Sequence, residues 1–356
     1  MNKDKILFFA NYEIKEFNSA PSIRAYYILK ELEKKCEVFL VSGLRLKRLI
    51  RMLIFFLLYK RKNYTGMYFE AKAHPMSLID KLFILYIKKK IPVSVYIRDA
   101  YFYEKCDYKT FFYEKNNSVL NDKYLLRTKD TCYWLIKNTH VQYFQSQSFG
   151  ELFKSKNINI LSPASECRKN NFNEKLKEKY IVYAGPCSKA YGTLKMLEIF
   201  KLINERIFIK LKIITPENQK KIIENYLNEK WLEVYHKNHF ELDELLRKAY
   251  LSILLMPVNE YNNLKLNVKI FEYFSYGLPL ISTDCYEIAK IIKENNVGII
   301  IEENNINKTA ERIIELYNDI EKVKYMSNNA LDFIKKENTW EHRVQKILMD
   351  FKYYGK

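Results

Sequence analysis

Short runs of β-branched and aromatic residues alternate along the chain with longer stretches in which apolar positions recur every three or four residues. The first pattern reads as strands buried on both faces, the second as amphipathic helices. In the first half the spacing predicts strands over 5–10, 37–42, 66–70, 93–97 and 141–145, with helices over 22–34, 46–60, 78–89 and 122–137. In the second half it predicts strands over 180–184, 207–214, 232–235, 251–256, 278–282 and 298–301. Helices are expected there over 192–205, 217–228, 242–248, 268–276, 287–294 and 308–317. Beyond residue 320 the pattern is helical, and Thr339 stands where a cap belongs before TWEHRVQKILMDF.

Strands that alternate with helices imply parallel sheets with helices on their faces. Between the two series lies ECRKNNFNEKLKEK, polar and without apolar periodicity, before a new buried strand opens at Tyr180. The expected fold class is α/β, with two Rossmann-like doubly wound domains facing across a cleft. Residues 1–168 form the first, 169–336 the second, and 337–356 a C-terminal helix packing back towards the first. Ligands of such sheets sit beyond the carboxyl ends of strands, so the residues just after each strand are the candidates for chemistry.

Composition narrows the class. With 356 residues, 48% of them hydrophobic, the chain has enough apolar material for two cores, which excludes a disordered or collagen-like protein. Six cysteines, at 36, 106, 132, 167, 187 and 285, form no CxxC pair and read as small buried hydrophobes in a reducing compartment. The opening MNKDKILFFANYEIKEF suits a first strand better than a signal peptide. No window approaches the ~18–20 apolar residues of a spanning helix, so a cytoplasmic, non-spanning protein is expected.

The net charge of +18 is unevenly placed. Residues 1–170 hold 31 Lys and Arg against 16 Asp and Glu, whereas 171–356 hold 29 against 26. One stretch concentrates the excess: Arg45, Lys47, Arg48, Arg51, Lys60, Arg61 and Lys62 enclose LIRMLIFFLLY without a single acid. Phe55, Phe56 and Tyr59 exceed what one buried stripe requires. Two readings stand level, a helix packed on the first sheet with basic ends and an in-plane contact with an anionic membrane. Nucleic acid is not an expected partner, because no nucleic-acid module accompanies the charge.

The most informative segment is LKLNVKIFEYFSYGLPLISTD, residues 264–284. Lys269 and Glu272 are three apart at a predicted helix start and so share a face. A lysine there neutralises a diphosphate and a carboxylate accepts hydrogen bonds from ribose hydroxyls; the plainer reading is a solvated ion pair. Gly277 and Pro279 then stop the helix. The segment resembles the Lys-xx-Glu-Tyr-xxx-Gly-x-Pro signature of glycosyltransferase family 4 and its relatives with the GT-B fold. YIVYAGPCSKAYG, residues 180–192, is similar to that family's glycine loop, and ILFFANYEIKEFNSAPSIRAYYILKEL to its N-terminal strand, loop and helix. YIRDAY, residues 96–101, and Ser162–Ala164 also fall where such enzymes carry a cleft acid and an interdomain proline turn.

The resemblance implies retaining transfer of a sugar from a nucleotide-sugar donor, a UDP-sugar foremost, without a metal. The absence of a DxD sequence agrees with that. It assigns donor contacts to Gly185, Ser188, Lys189, Asn267, Lys269 and Glu272. Asp99, Lys189 and Lys269 become the catalytic candidates, and Ser22, Arg24 and Arg98 acceptor or cleft residues. Asp99 has an equal alternative as a partner of nearby cations, and Arg24 as an ordinary surface arginine. The implied acceptor is a lipid-linked glycan or another cell-envelope polysaccharide precursor, met at the inner face of the cell membrane. The chain also departs from the family. Leu264 stands where a first glutamate is usual, with only Glu260 nearby, and Pro186 and Tyr191 replace the loop's arginine and lysine. Ser19, Ala20 and Pro21 replace glycines of the N-terminal loop. A non-catalytic binding protein on the same scaffold and a nucleotide-sugar epimerase of the same fold therefore stay as alternatives. His236 and His239 lack a third ligand and read as loop residues.

Overall fold

A computed structural model describes residues 4–14, 20–59, 64–103, 122–155, 158–236, 239–302 and 304–355. The described residues divide into two compact units, one of those within 4–163 and 340–355, the other of those within 164–339. Residues 164–168 and 337–339 thus go with the second unit, not with the first domain and the last helix as the sequence suggested.

The first unit holds a parallel sheet of β1 (Lys5–Ala10), β2 (Glu37–Val41), β3 (Gly66–Ala71), β4 (Val93–Ile97), β5 (Val141–Phe144) and β6 (Asn159–Ile160). Their order is β2-β1-β3-β4-β5-β6. Ile6, Leu7, Phe8 and Phe9 are all buried, so β1 reads as a continuous apolar run because both its faces are covered. Helices α1 (Ala20–Lys35), α2 (Arg45–Tyr59), α3 (Leu78–Lys88), α4 (Asp122–Asn138) and α5 (Gln147–Glu151) connect the strands. β6 is two residues long and α5 five, too short for either period to register in the sequence.

The second unit opens with α6 (Phe172–Lys177) and carries β7 (Tyr180–Ala184), α7 (Thr193–Asn204), β8 (Lys210–Ile214), β9 (Leu232–Tyr235), α8 (His239–Lys248), β10 (Leu251–Leu254) and α9 (Val268–Ser275). It continues through β11 (Leu280–Thr283), α10 (Tyr286–Asn295), β12 (Gly298–Ile301), α11 (Ile306–Asn318) and α12 (Ile320–Glu337). Its parallel strands run β12-β11-β10-β7-β8-β9. The order reverses between β7 and β10, the position at which a doubly wound sheet opens a crevice for a ligand. Residues 217–226, expected as an α-helix, wind instead into 3-10 turns after Pro216.

The final helix, α13 (Trp340–Tyr354), belongs to the first unit. The Trp340 ring stacks on Tyr27 at 5.6 Å. Arg343 Nε donates to the Ser162 carbonyl at 2.7 Å, and Tyr143 Oη donates to Asp350 at 2.6 Å. Residues 172–177, read as part of a structureless joint, form α6 because Lys175 is not a surface lysine. Its Nζ donates to the carbonyls of Tyr276 at 2.6 Å and Gly277 at 3.3 Å, closing the C-terminus of α9. Burial lowers its pKa to about 7.

Helix α2 corrects two expectations. Arg48 and Phe55 were placed on a membrane surface, yet both face inward. Arg48 clamps Asp80 of α3 through Nε at 3.1 Å and Nη2 at 2.7 Å, and its Nη1 donates to the Gly43 carbonyl at 2.7 Å. The Phe55 ring packs between Phe39 at 5.5 Å and Phe83 at 5.9 Å. Arg45, Lys47, Arg51 and Phe56 are exposed, whereas Lys60, Arg61 and Lys62 lie outside the described residues. Of the described cysteines, Cys36, Cys132, Cys187 and Cys285 are buried and Cys167 is exposed, against the expectation of a buried residue; Cys106 lies outside the described residues.

Candidate functional site

At the switch point of the second sheet, β7 runs into Gly185 and the chain turns through Pro186–Gly192 before α7. Gly185 has φ +155°, and a Cβ there would lie 2.1 Å from the Lys269 Nζ. Glycine is therefore what admits the ammonium to the end of β7. Gly192, at φ +66°, makes an equally close approach, because a Cβ would meet the Leu255 carbonyl oxygen at 1.8 Å.

Lys269 is the second residue of α9. Its Nζ is buried and has no hydrogen-bond partner among the described residues. It lies over the rings of Tyr191 at 4.5 Å and Tyr183 at 4.9 Å. The position at which the resembled family places a loop lysine thus holds an aromatic wall for the remaining ammonium. Burial lowers the Lys269 pKa to about 8, against the opposing pull of Cys187 and Glu272. An isolated buried ammonium is costly unless an anion meets it.

Asn267 begins α9 without capping it, since its Nδ2 points to Met256 Sδ at 3.1 Å. That helix start has no side-chain cap, and both it and the Lys269 charge favour an anion. The glycine loop offers less than expected. The N–H of Gly185 donates to Ile214 O at 2.9 Å, that of Cys187 to Gln219 Oε1 at 2.8 Å and that of Ser188 to Thr193 Oγ1 at 3.0 Å. Those donors hold the loop in shape. Lys189 stays exposed on a 3-10 turn, in contrast to Lys269.

Glu272 lies one turn after Lys269 on α9. Burial raises its pKa, while Arg168 first and Lys269 second favour the carboxylate. Arg168 is a residue the sequence did not flag, hidden in the polar joint. Its guanidinium stacks over Tyr276 at 4.5 Å, its Nη1 donates to Asp243 at 2.7 Å, and its Nε is buried without a partner. Tyr276 Oη donates to the same carboxylate at 2.7 Å. Tyr273, the tyrosine of the quoted signature, was given no role by the sequence: the Ala184 N–H donates to its hydroxyl at 2.7 Å, pinning α9 to the end of β7. No local pattern announces Arg168, because its partners Asp243 and Tyr276 lie far away in sequence. Leu264 sits in a 3-10 turn and supplies no carboxylate, and Glu260 is exposed.

In the first unit, Arg98 and Asp99 follow β4, and Arg98 Nε donates to Asp99 Oδ2 at 2.6 Å. Arg98 Nη1 is buried with no hydrogen-bond partner among the described residues. His74 lies near the same strand ends, and burial, with Lys72 and Arg98 adding repulsion, lowers its pKa to about 4. Ser22 is buried on α1. Arg24, expected in the cleft or on the surface, is only 1% exposed. Its Nε lies 3.3 Å from Glu70 and its guanidinium 3.5 Å over the Tyr96 ring, while Tyr68 Oη donates to Glu70 at 2.6 Å. The fold uses Arg24 to balance Glu70 inside the unit.

Residues 164–333 match the family described as glycosyl transferases group 1. Among solved structures, sucrose-phosphate synthase from Thermosynechococcus elongatus superposes with TM-score 0.71 at 8% identity, over 99% of each chain. HepE from Anabaena, solved with UDP and glucose, gives 0.64 at 11% identity over 98% of this chain and all (100%) of its own. TarM gives 0.61 at 15% identity over 85% of this chain. The present chain spans 58% of the length of that TarM chain. No curated protein matches the sequence. The paired Rossmann-like sheets are those of the GT-B fold, and the match to the glycosyl transferase model falls on the second of them. The matched residues span most of the second unit and include helix α9.

Proposed function

We propose that this chain transfers a sugar, with retention of configuration, from a nucleotide-sugar donor to a lipid-linked glycan or another envelope-polysaccharide precursor. The observation that carries the reading is the Lys269 ammonium, buried and unpartnered at the switch point of the second sheet. A leaving nucleoside diphosphate supplies the charge this site lacks, and its developing charge in the transition state is what Lys269 and the start of α9 stabilise. Glu272, positioned beside Arg168, receives the ribose hydroxyls. In this reading the chain's own cations do the work of a bridging metal. A UDP-sugar is the first donor to test, because HepE was solved with UDP and glucose, and a TarM variant from S. aureus with UDP and alpha-GlcNAc-glycerol.

Arg98 and Asp99 are assigned to the acceptor side, where the free Arg98 Nη1 favours an acceptor that bears negative charge. The enzyme is placed at the cytoplasmic face of the cell membrane as a peripheral protein; no helix among the described residues is long and apolar enough to cross one. The test is a thermal-shift survey of nucleotide sugars followed by mass spectrometry of donor consumption with candidate acceptors. Stabilisation by one donor and its turnover are expected. Binding without turnover would favour the non-catalytic scaffold, to which Leu264 is the pointer.

A further inference from the structure

Helix α2 is apolar on two opposite faces, and only one of them is used. Arg48, Met52 and Phe55 point into the first unit. Leu46, Ile50, Leu53 and Leu57, spaced four, three and four apart, point out of it, with Leu46 69% and Leu57 77% exposed. Leu44, just before the helix, is exposed as well. Helix α3 repeats the pattern: Phe83, Ile84 and Ile87 are buried, while Leu78, Leu82 and Tyr86 face outward at four-residue spacing. The two helices lie side by side, joined by Phe56 packing on Tyr86 at 5.0 Å and Phe83 at 5.6 Å and by the Arg48–Asp80 clamp. Their outward stripes therefore form one surface, larger than the scattered leucines of an ordinary exterior.

Charge selects what covers it. α2 contains no acid, and the single acid of α3 is Asp80, which is buried and bound by Arg48. Neither helix thus offers an outward carboxylate, while Arg45 and Arg51 flank the α2 leucines and Lys89 and Lys90 stand exposed past the end of α3. Lys47 pairs with Glu13 at 3.2 Å.

We propose that the joint α2–α3 face is a bilayer-docking surface that lays its leucines among acyl chains and its arginines against anionic headgroups. An apolar stripe with cations at its borders and no acids has the profile of an in-plane interfacial helix, and here two such helices share the load. The inference rests on the reading of a membrane-presented acceptor and names the part of the chain that meets the membrane. It also assigns a role to α3, whose sequence carries no basic cluster of its own before Lys88.

Flotation of the whole chain with vesicles of phosphatidylcholine, with and without phosphatidylglycerol, tests it. Recovery with the anionic vesicles is expected to exceed that with neutral ones by about tenfold and to fall in high salt. L53E/L57E on α2 and, separately, L82E on α3 should each abolish flotation with little change in melting temperature, because more than half of each side chain's surface is exposed. R45E/R51E should lower recovery without touching the leucines. Flotation that survives both leucine variants overturns the proposal. So does absence of flotation accompanied by a dimer that the same variants dissociate, which would assign the face to a second copy of the chain. Donor consumption with a soluble acceptor, measured without vesicles on the unaltered chain and the same variants, reports separately on sugar transfer: no turnover by any of them refutes the function, and loss of flotation with turnover retained leaves it standing.

Discussion

Two buried cations occupy comparable places in the two units, each near the start of a helix that follows a strand, and their surroundings are opposite. Arg24 on α1 is enclosed by Glu70, Tyr68 and Tyr96, so its charge is balanced within the protein. Lys269 on α9 faces two aromatic rings and a glycine, and no hydrogen-bond partner. The first arrangement is a closed account of charge and the second an open one. A buried ion with its counter-ion in place holds a fold together, whereas a buried ion without one is poised for a ligand.

The largest expected effect belongs to the closed side. Arg24→Ala should destabilise the first unit by about 3–5 kcal/mol, since it leaves the buried Glu70 carboxyl without its counter-ion. Urea denaturation measures this, and R24M/E70Q should recover much of the loss. An Arg24→Ala protein of native stability with impaired donor binding would invert the comparison. On the open side, Lys269→Ala should lower kcat/KM by about 100-fold or more, near ~3 kcal/mol of transition-state stabilisation, with the melting temperature held or raised. Steady-state kinetics beside a thermal melt separate the two outcomes. Gly185→Ala is a smaller perturbation of the same site. The new Cβ must displace the ammonium it would meet at 2.1 Å, and roughly tenfold weaker donor affinity is expected by calorimetry.

The pH dependence sharpens the contrast further. Lys269 has a folded pKa of about 8, below that of an unfolded lysine. Below pH 8 it is charged in the fold at a cost to stability. Above that the folded form sheds a proton that the unfolded chain keeps, so the cost fades as pH rises towards the unfolded value. Lys175, with its pKa lowered to about 7, adds a change of the same sign. Donor affinity moves the other way. It should be flat below about pH 8 and weaken towards tenfold per unit above it, with Lys269→Met abolishing the slope.

How much of this the sequence carried depends on distance along the chain. Strands such as Lys5–Ala10 and Tyr180–Ala184 were legible because a strand covered on both faces must be apolar throughout. Lys269 and Glu272 were legible because one short helix holds both. Arg48 and Phe55 were misplaced because the partner that draws each inward, Asp80 or Phe83, comes from another helix. Arg24 was misread for the same reason, its carboxylate lying on β3. Arg168 and Lys175 looked like linker charge until the fold brought Asp243, Tyr276 and Gly277 to them. The strand order that creates the switch point has no local signature at all.

The central claim is that the Lys269 charge awaits a nucleotide diphosphate. Calorimetric titration of UDP at pH 8.5, repeated in two buffers of different ionisation enthalpy, tests it directly. The account predicts binding coupled to the uptake of a fraction of a proton, lost together with most of the affinity in Lys269→Met. Binding of equal strength in the variant, with no difference in proton uptake, would contradict it.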